Sequence, residues 1–125
     1  MTSKFLLAFA IASATPALAA PQEIILAEPV CGMTRIRSIG ARLDGSDPRQ
    51  VGSAVSYSNG IYGVDYRYWP SLHSSRVGDA VELCMIRAMH GCPRGDERGR
   101  TYRARNLRTG QVWEMPNSTH TCGGA

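Results

Sequence analysis

The chain has 125 residues, of which 43% are hydrophobic. This length favours one modest domain and excludes an assembly of several domains with separate cores. The 14 Lys and Arg against 10 Asp and Glu give a formal net charge of +4, an excess too small to require a polyanionic partner by itself.

Residues 1–19 have the layout of a secretory signal peptide. Lys4 precedes an apolar run over residues 5–14, and the small residues that follow end in Ala17-Leu18-Ala19, an A-x-A cleavage pattern. The run is shorter than the ~20 apolar residues that a membrane-spanning helix needs. We therefore expect cleavage after Ala19 and an exported protein, periplasmic or secreted, with no membrane span. Since Lys4 is the only lysine, the exported chain carries 13 arginines against 10 acidic residues.

The rest of the chain divides into three parts. We expect a flexible N-terminal arm over residues 20–30, a single β domain over residues 31–122 and a short C-terminal tail over residues 123–125. Partial alternation of apolar and polar side chains predicts the first strand of the domain within residues 33–43.

Residues 54–68 carry the clearest hairpin pattern. Asn59-Gly60 predicts a type I′ turn, because both central residues of that turn need positive φ. With these two residues as the loop, Tyr57 faces Tyr62, and the apolar side chains share one face of an antiparallel pair. These side chains are Val55, Tyr57, Tyr62, Val64, Tyr66 and Tyr68.

Further strands follow the first hairpin. Residues 69–79 predict a loop with one helical turn, and residues 80–87 predict a strand with Val81, Leu83 and Met85 on one face. Residues 100–116 predict a second hairpin that turns at Arg108-Thr109-Gly110. Six short strands with regular turn signals indicate an all-β fold, a small antiparallel barrel or sandwich.

Four cysteines, an even number, lie in the expected exported part: Cys31, Cys84, Cys92 and Cys122. In an oxidising compartment this pattern predicts two disulfides that staple the small domain. Of the three possible connectivities we favour Cys84–Cys92, which closes a local loop, with Cys31–Cys122, which ties the two ends of the domain.

An arginine-rich stretch suggests an anion-binding surface. Guanidinium groups match phosphate and carboxylate geometry, and only Asp96 and Glu97 oppose the positive charge in this stretch. The alternative is a set of solvated arginines on a sheet face, since few aromatic residues lie among them. The six arginines are Arg94, Arg98, Arg100, Arg103, Arg105 and Arg108.

The tripeptide Arg94-Gly95-Asp96 lies within this stretch and has the sequence of an adhesion ligand. Pro93 and Gly95 also give it the chemistry of an exposed turn. We favour the turn, because a tripeptide alone is weak evidence for adhesion.

Two H-x-C pairs offer a different hypothesis. His90 with Cys92 and His120 with Cys122 together form a ligand set suited to zinc or copper. The spacing matches no established zinc motif, and the same cysteines are expected to form disulfides. No nucleophile elbow, H-E-x-x-H, P-loop or dinucleotide fingerprint occurs, so we expect neither an enzyme nor a cofactor.

Three stretches of the C-terminal half, SRVGDAVELC, CPRGDERGR and NLRTGQVWEMPNSTHTCGGA, resemble small exported bacterial proteins of unknown function. The resemblance implies export and a compact domain bridged by cysteines. It implies no activity, and no functional residue carries over from it.

The sequence thus favours an exported, non-catalytic binding or structural module. We expect the arginine-rich region 94–108 to contact an anionic component of the cell envelope or another exported protein. The alternative function is a periplasmic Zn or Cu binding protein that uses the two H-x-C pairs.

Overall fold

The computed structural model describes residues 1–14 and 19–124 and contains six strands and two short helices. Part of the expected cleavage pattern, residues 17–18, and Ala125 of the expected tail lie outside the described residues. The elements are β1 Gln22–Ala41, α1 Pro48–Val51, β2 Ser53–Tyr57, β3 Tyr62–Asp65, α2 Pro70–His73, β4 Ala80–His90, β5 Thr101–Asn106 and β6 Val112–Pro116.

All six strands join one antiparallel sheet in the order β3-β2-β1-β4-β5-β6. The two edge strands, β3 and β6, also lie against each other, so the sheet curls into a nearly closed barrel. This arrangement confirms the predicted all-β, disulfide-stapled fold and selects the barrel over the sandwich.

Alternation along the strands fills the barrel. In β4, Val81 and Leu83 are buried and Met85 is half-buried on the predicted face, whereas Glu82 points outward next to Arg105. Helix α2 covers one end of the core with Leu72. The core side chains are Ile36, Val55, Tyr57, Leu72, Val81, Leu83, Ala104, Trp113 and Met115.

Strand β1 begins at Gln22, much earlier than the sequence indicated. The prediction of a flexible arm over residues 20–30 is therefore wrong. Residues 22–35 pair with β4, which itself continues to His90. The register shifts between Ile25 and Val30, so the residues between them form a bulge that contains Pro29. Apolar residues follow one another here without alternating with polar ones, so no strand pattern is visible in this part of the sequence.

The first hairpin forms between β2 and β3, but the predicted type I′ turn is wrong, because Asn59 does not have positive φ, and the register is one residue away. Tyr57 accepts a hydrogen bond from Gly60 across a type I turn, and Tyr57 donates to the Ile61 carbonyl, so the loop has three residues. Gly60 has φ of 87° and supplies the left-handed residue that such a loop needs. The one-residue shift moves Tyr62 to the outer face, where it is 43% exposed.

The other local predictions agree with the structure. One helical turn, α2, lies within residues 69–79, and the second hairpin turns between β5 and β6, where Gly110 donates a 2.8 Å hydrogen bond to the Asn106 carbonyl. Helix α1 was not predicted. Its signal is Asp47, whose side chain accepts from the Arg49 amide at the N-cap, followed by Pro48 in the first turn.

Two disulfides are present, but the predicted pairing is wrong. Cys31 bonds Cys84, and Cys92 bonds Cys122. Cys31 and Cys84 face each other in the β1–β4 ladder. The favoured Cys84–Cys92 bridge would need a loop, yet β4 runs extended from Cys84 to His90, about 20 Å at ~3.3 Å per residue.

The N-terminal residues stay outside the barrel. Phe5, Leu6 and Ile11 are 90%, 96% and 91% exposed, and residues 1–14 form no helix or strand. In the part of the chain that the structure describes, no helix is long and apolar enough to cross a membrane.

Candidate functional site

Carboxylates neutralise most of the arginines that the sequence proposed for anion binding. Arg98 pairs with Asp96 at 2.9 Å, and Arg108 pairs with Asp79 at 2.9 Å. Looser pairs, at 3.5 and 3.6 Å, join Arg100 to Glu97 and Arg105 to Glu82. Among the described residues, only Arg94 and Arg103 of the six predicted arginines have no carboxylate partner.

The Arg94-Gly95-Asp96 tripeptide forms a turn whose acidic residue is engaged. The Asp96 carboxylate accepts from Nε and Nη2 of Arg98 at 3.0 and 2.9 Å and from the Gly123 amide at 3.0 Å. These bonds, chiefly that from Arg98, hold the pKa of Asp96 well below its usual range. The Asp96 amide also donates a 3.0 Å hydrogen bond to the Pro93 carbonyl, so the structure supports the turn interpretation.

Arg108 belongs to a second structural network at the β5–β6 turn. Its guanidinium donates two hydrogen bonds of 2.9 Å to Asp79, and the fully buried Asn106 side chain donates a third. These contacts, with the Arg76 amide, lower the pKa of Asp79. Arg108 therefore stabilises the turn.

A different set of arginines is stacked on aromatic rings. The Arg42 guanidinium lies 4.2 Å from the Tyr66 ring centre, that of Arg67 lies 4.2 Å from Trp69, and that of Arg49 lies 5.3 Å from Tyr68. None of the three arginines has a carboxylate within ion-pair distance among the described residues. We call this surface the arginine–aromatic corner: Arg42, Arg49, Arg67, Tyr66, Tyr68 and Trp69.

Two connections of the barrel build this corner. The β1–β2 connection carries two of the arginines, and the β3–α2 connection carries the third arginine and the rings. Arg42 Nε donates a 2.7 Å hydrogen bond to the Val51 carbonyl, and Trp69 Nε1 donates one of 2.8 Å to Asp65. These bonds position the Arg42 guanidinium and the Trp69 ring, and the terminal N–H groups of Arg42 stay available for an oxyanion.

Gly52 brings the two connections together. It has φ of 99°, and a Cβ at this position would lie 2.1 Å from the Asp65 carbonyl oxygen and 2.6 Å from Tyr66 Cα. Only glycine fits so close a backbone approach. The rings of the corner therefore depend on Gly52.

A hydroxyl–imidazole pair lies beneath the corner. Ser53 Oγ accepts from the Trp69 amide at 3.1 Å and lies 2.9 Å from His73 Nε2, to which it can donate its proton. His73 also stacks on Tyr68, with ring centres 4.7 Å apart. Its pKa is lowered by desolvation and by the charge of Arg49. Ser53 is fully buried, so in this conformation its hydroxyl can support the β3–α2 connection but cannot reach a substrate.

A cleft of about 220 Å³ lies where β3 and β6 separate at the barrel seam. We call it the seam cleft. Tyr66 forms part of its wall and so belongs to both the cleft and the corner. Carboxyl, hydroxyl and imidazole side chains face the cleft, and none of the described residues that line it is an arginine or a lysine. Its polar lining includes Glu23, Asp65, Thr101, Ser118, Thr119 and His120.

The two H-x-C pairs meet in the structure, but as a disulfide. The Cys92–Cys122 bond brings His90 and His120 to the same region while engaging both sulfurs that the metal hypothesis required as thiolates. Within residues 1–14 and 19–124, no group of three or more His, Cys, Asp or Glu side chains forms a metal-binding cluster.

Neither the corner nor the hydrogen bond between His73 and Ser53 was predicted from the sequence. The sequence signal of the corner is the run Tyr66-Arg67-Tyr68-Trp69. The sequence placed Tyr66 and Tyr68 on the apolar face of the first hairpin and Trp69 in the loop that follows, whereas in the structure β3 already ends at Asp65. The distant partners, Arg42 and Arg49, gave no local sign of stacking. Comparison of the chain with protein-family models, curated proteins and solved structures finds no match.

Proposed function

We propose that this protein is a small exported binding module that holds an anionic ligand on the arginine–aromatic corner. One observation carries the proposal: three arginines that have no carboxylate partner within residues 1–14 and 19–124 lie on the rings of Tyr66, Tyr68 and Trp69. A stacked guanidinium loses little further side-chain freedom on binding, and its N–H edge suits carboxylate, sulfate or phosphate.

The charge balance favours the corner over the arginine-rich stretch. A bound anion at Arg98 or Arg108 would compete with an existing bidentate pair to Asp96 or Asp79. At the corner no described carboxylate has to be displaced. The anionic partner remains a component of the cell envelope, as the sequence suggested, but the contacting arginines differ from those expected.

Two features support the proposal of export: the signal-peptide layout of residues 1–19 and the two disulfides. Residues 1–14 contribute nothing to the barrel, which is the behaviour expected of a segment that is removed. Two disulfides in a small domain suit an oxidising compartment. A non-catalytic role is favoured because the Ser53 hydroxyl, which is hydrogen-bonded to His73, is fully buried.

Titration with polyphosphate tests the proposal. We expect saturable binding that weakens as salt rises, because screening reduces the attraction between exposed charges. The double variant Arg49→Ala/Arg67→Ala should bind at least about a hundredfold more weakly, since each of the two lost charged hydrogen bonds contributes about 1.5–3 kcal/mol. Circular dichroism of the variant should match that of the wild type.

The matched control is Arg94→Ala/Arg103→Ala. It removes the same amount of charge, and these are the two arginines of the arginine-rich stretch that have no ion pair among the described residues. It should retain binding to within about threefold, as expected for an exposed charge at a distance. If the control loses as much affinity as the corner variant, binding is a general charge effect and the corner is not the site.

A further inference from the structure

We propose that the arginine–aromatic corner and the seam cleft form one site for an acidic polysaccharide. The corner takes an anionic group of the polymer, and the cleft takes the neighbouring uncharged sugar unit. The anionic half of this inference rests on the proposed function. The cleft half also depends on residues outside the corner, such as Glu23, Ser118 and Thr119, and can fail by itself.

Tyr66 connects the two halves. Its ring carries the Arg42 guanidinium at 4.2 Å, and the same residue lines the cleft. It is 64% exposed, so a ligand can reach it. A polymer that contacts the arginines of the corner can therefore place its next unit against Tyr66 and into the cleft without crossing intervening protein.

The lining of the cleft suits a ligand rich in hydroxyl groups. The Glu23 carboxylate and the second oxygen of Asp65, whose Oδ2 accepts from Trp69 Nε1, can accept hydrogen bonds. The hydroxyls of Thr101, Ser118 and Thr119 can both donate and accept. Val64 and Pro116 add apolar surface. A concave site with some apolar wall and several convergent polar groups is the usual form of a small-molecule site. Its volume of about 220 Å³ equals that of about seven water molecules, enough for one sugar unit.

The cleft is built into the barrel. A Cβ on Gly63 of β3 would lie 3.3 Å from Met115 Cβ of β6, so at that level the seam is closed by direct packing. The opening is lined by the end of β3 and Tyr66 on one side, and by Pro116 at the end of β6 with residues 118–121 on the other. The opening therefore exists before any ligand binds, and little reorganisation is needed for binding.

The distribution of charge favours a polysaccharide over a nucleic acid. A nucleic acid carries a phosphate on every unit, so a strand on the corner would bring its next phosphate towards Glu23 and Asp65. Base stacking also needs free ring faces, whereas Arg49 and His73 both contact the Tyr68 ring. A polymer that alternates charged and neutral sugars meets neither obstacle.

Hyaluronan fragments and polyphosphate of equal charge are the probes. Hyaluronan alternates a uronic acid with an uncharged amino sugar, whereas polyphosphate is charged at every unit. We expect the wild-type protein to bind hyaluronan fragments about tenfold more tightly than polyphosphate. Arg49→Ala/Arg67→Ala should weaken the binding of both polymers.

The variant Glu23→Gln separates the two halves of the site. It removes one acceptor charge from the cleft, so hyaluronan should bind about fivefold more weakly, while polyphosphate should bind as well or better because a repulsive charge is gone. Glu23 also lies 3.8 Å from Arg87, so a control for the charge change is needed. Glu28→Gln makes the same change on an exposed residue of β1 that does not line the cleft, and it should leave the ratio of the two affinities unchanged.

Each outcome has a distinct meaning. If neither polymer binds, the proposed function fails and the polysaccharide site fails with it. If polyphosphate or single-stranded DNA binds as tightly as hyaluronan, or if Glu23→Gln and Glu28→Gln behave alike, anion binding stands and the polysaccharide inference is overturned. A ratio that falls with Glu23→Gln alone supports both.

Discussion

The indole nitrogen of Trp113 donates a 2.9 Å hydrogen bond to the Tyr57 hydroxyl in the barrel core. Trp113 lies on β6 and Tyr57 on β2, strands that are not neighbours in the sheet. The bond therefore links two strands through the core, on either side of β3. Both side chains are buried, at 1% and 3% exposure, and burial raises the pKa of Tyr57 well above its ordinary value.

We expect Tyr57→Phe to lower the free energy of unfolding by about 1–3 kcal/mol, because it leaves the buried Trp113 N–H without an acceptor. Urea denaturation followed by Trp fluorescence measures the change. Tyr62→Phe is the control, since Tyr62 is 43% exposed and should change stability by less than about 0.5 kcal/mol. Equal effects of the two variants would show that the core hydrogen bond contributes no stability.

The disulfide pairing can be read from a tryptic digest without reduction. Cleavage after Arg87 separates Cys84 from Cys92, so each cysteine lies on a different peptide. We expect the peptide of residues 77–87 to be linked to the one that contains Cys31, and residues 88–94 to be linked to residues 109–125. A link between residues 77–87 and 88–94 would contradict the β1–β4 ladder.

Gly52→Ala should disrupt the corner as well as the fold. The added Cβ would meet the Asp65 carbonyl and the Tyr66 backbone, and neither can move without displacing the β3–α2 connection. We expect the free energy of unfolding to fall by more than about 2 kcal/mol. The fraction of the variant that still folds should bind polyphosphate more weakly than the wild type. Gly45→Ala provides the comparison: Gly45 also has positive φ, at 76°, but a Cβ there meets nothing within 4 Å. If both variants lose the same stability, the cost comes from the positive φ alone, and the close backbone approach at Gly52 adds nothing to it.

His73 should make stability depend on pH in mild acid. Its pKa in the folded protein lies below the ordinary value of 6.5, because burial and Arg49 disfavour the charged ring. Below that ordinary value the unfolded chain therefore binds more protons than the folded one, and stability falls as the pH decreases. Urea midpoints from about pH 8 to about pH 5 measure the slope.

The variant His73→Gln should flatten this slope, since its amide can still bond Ser53 but does not titrate. The variant His120→Gln removes an exposed imidazole on a different loop and should keep the wild-type slope. A slope that survives in His73→Gln would assign the acid sensitivity to other groups.

Much of the local structure follows from the sequence. Alternation of Val81, Leu83 and Met85 predicted β4, and the Arg108-Thr109-Gly110 turn predicted the second hairpin. The even number of cysteines predicted two disulfides. These features depend on side-chain periodicity, on the φ preferences of turn residues and on redox chemistry, which act over a few residues or on composition alone.

The tertiary structure decided what the candidate site consists of. Register in the first hairpin depends on which of Tyr57 and Tyr62 finds room in the core, and the cysteine pairing depends on which strands become neighbours. Arg98 and Arg108 gained carboxylate partners from the surrounding fold, whereas Arg42 and Arg49 met aromatic rings brought from another connection. The sequence alone determined a basic, cysteine-stapled β domain. Contacts between residues far apart in the chain determined which of its arginines are free to bind, because neutralisation and stacking depend on distance in space and not on spacing along the chain.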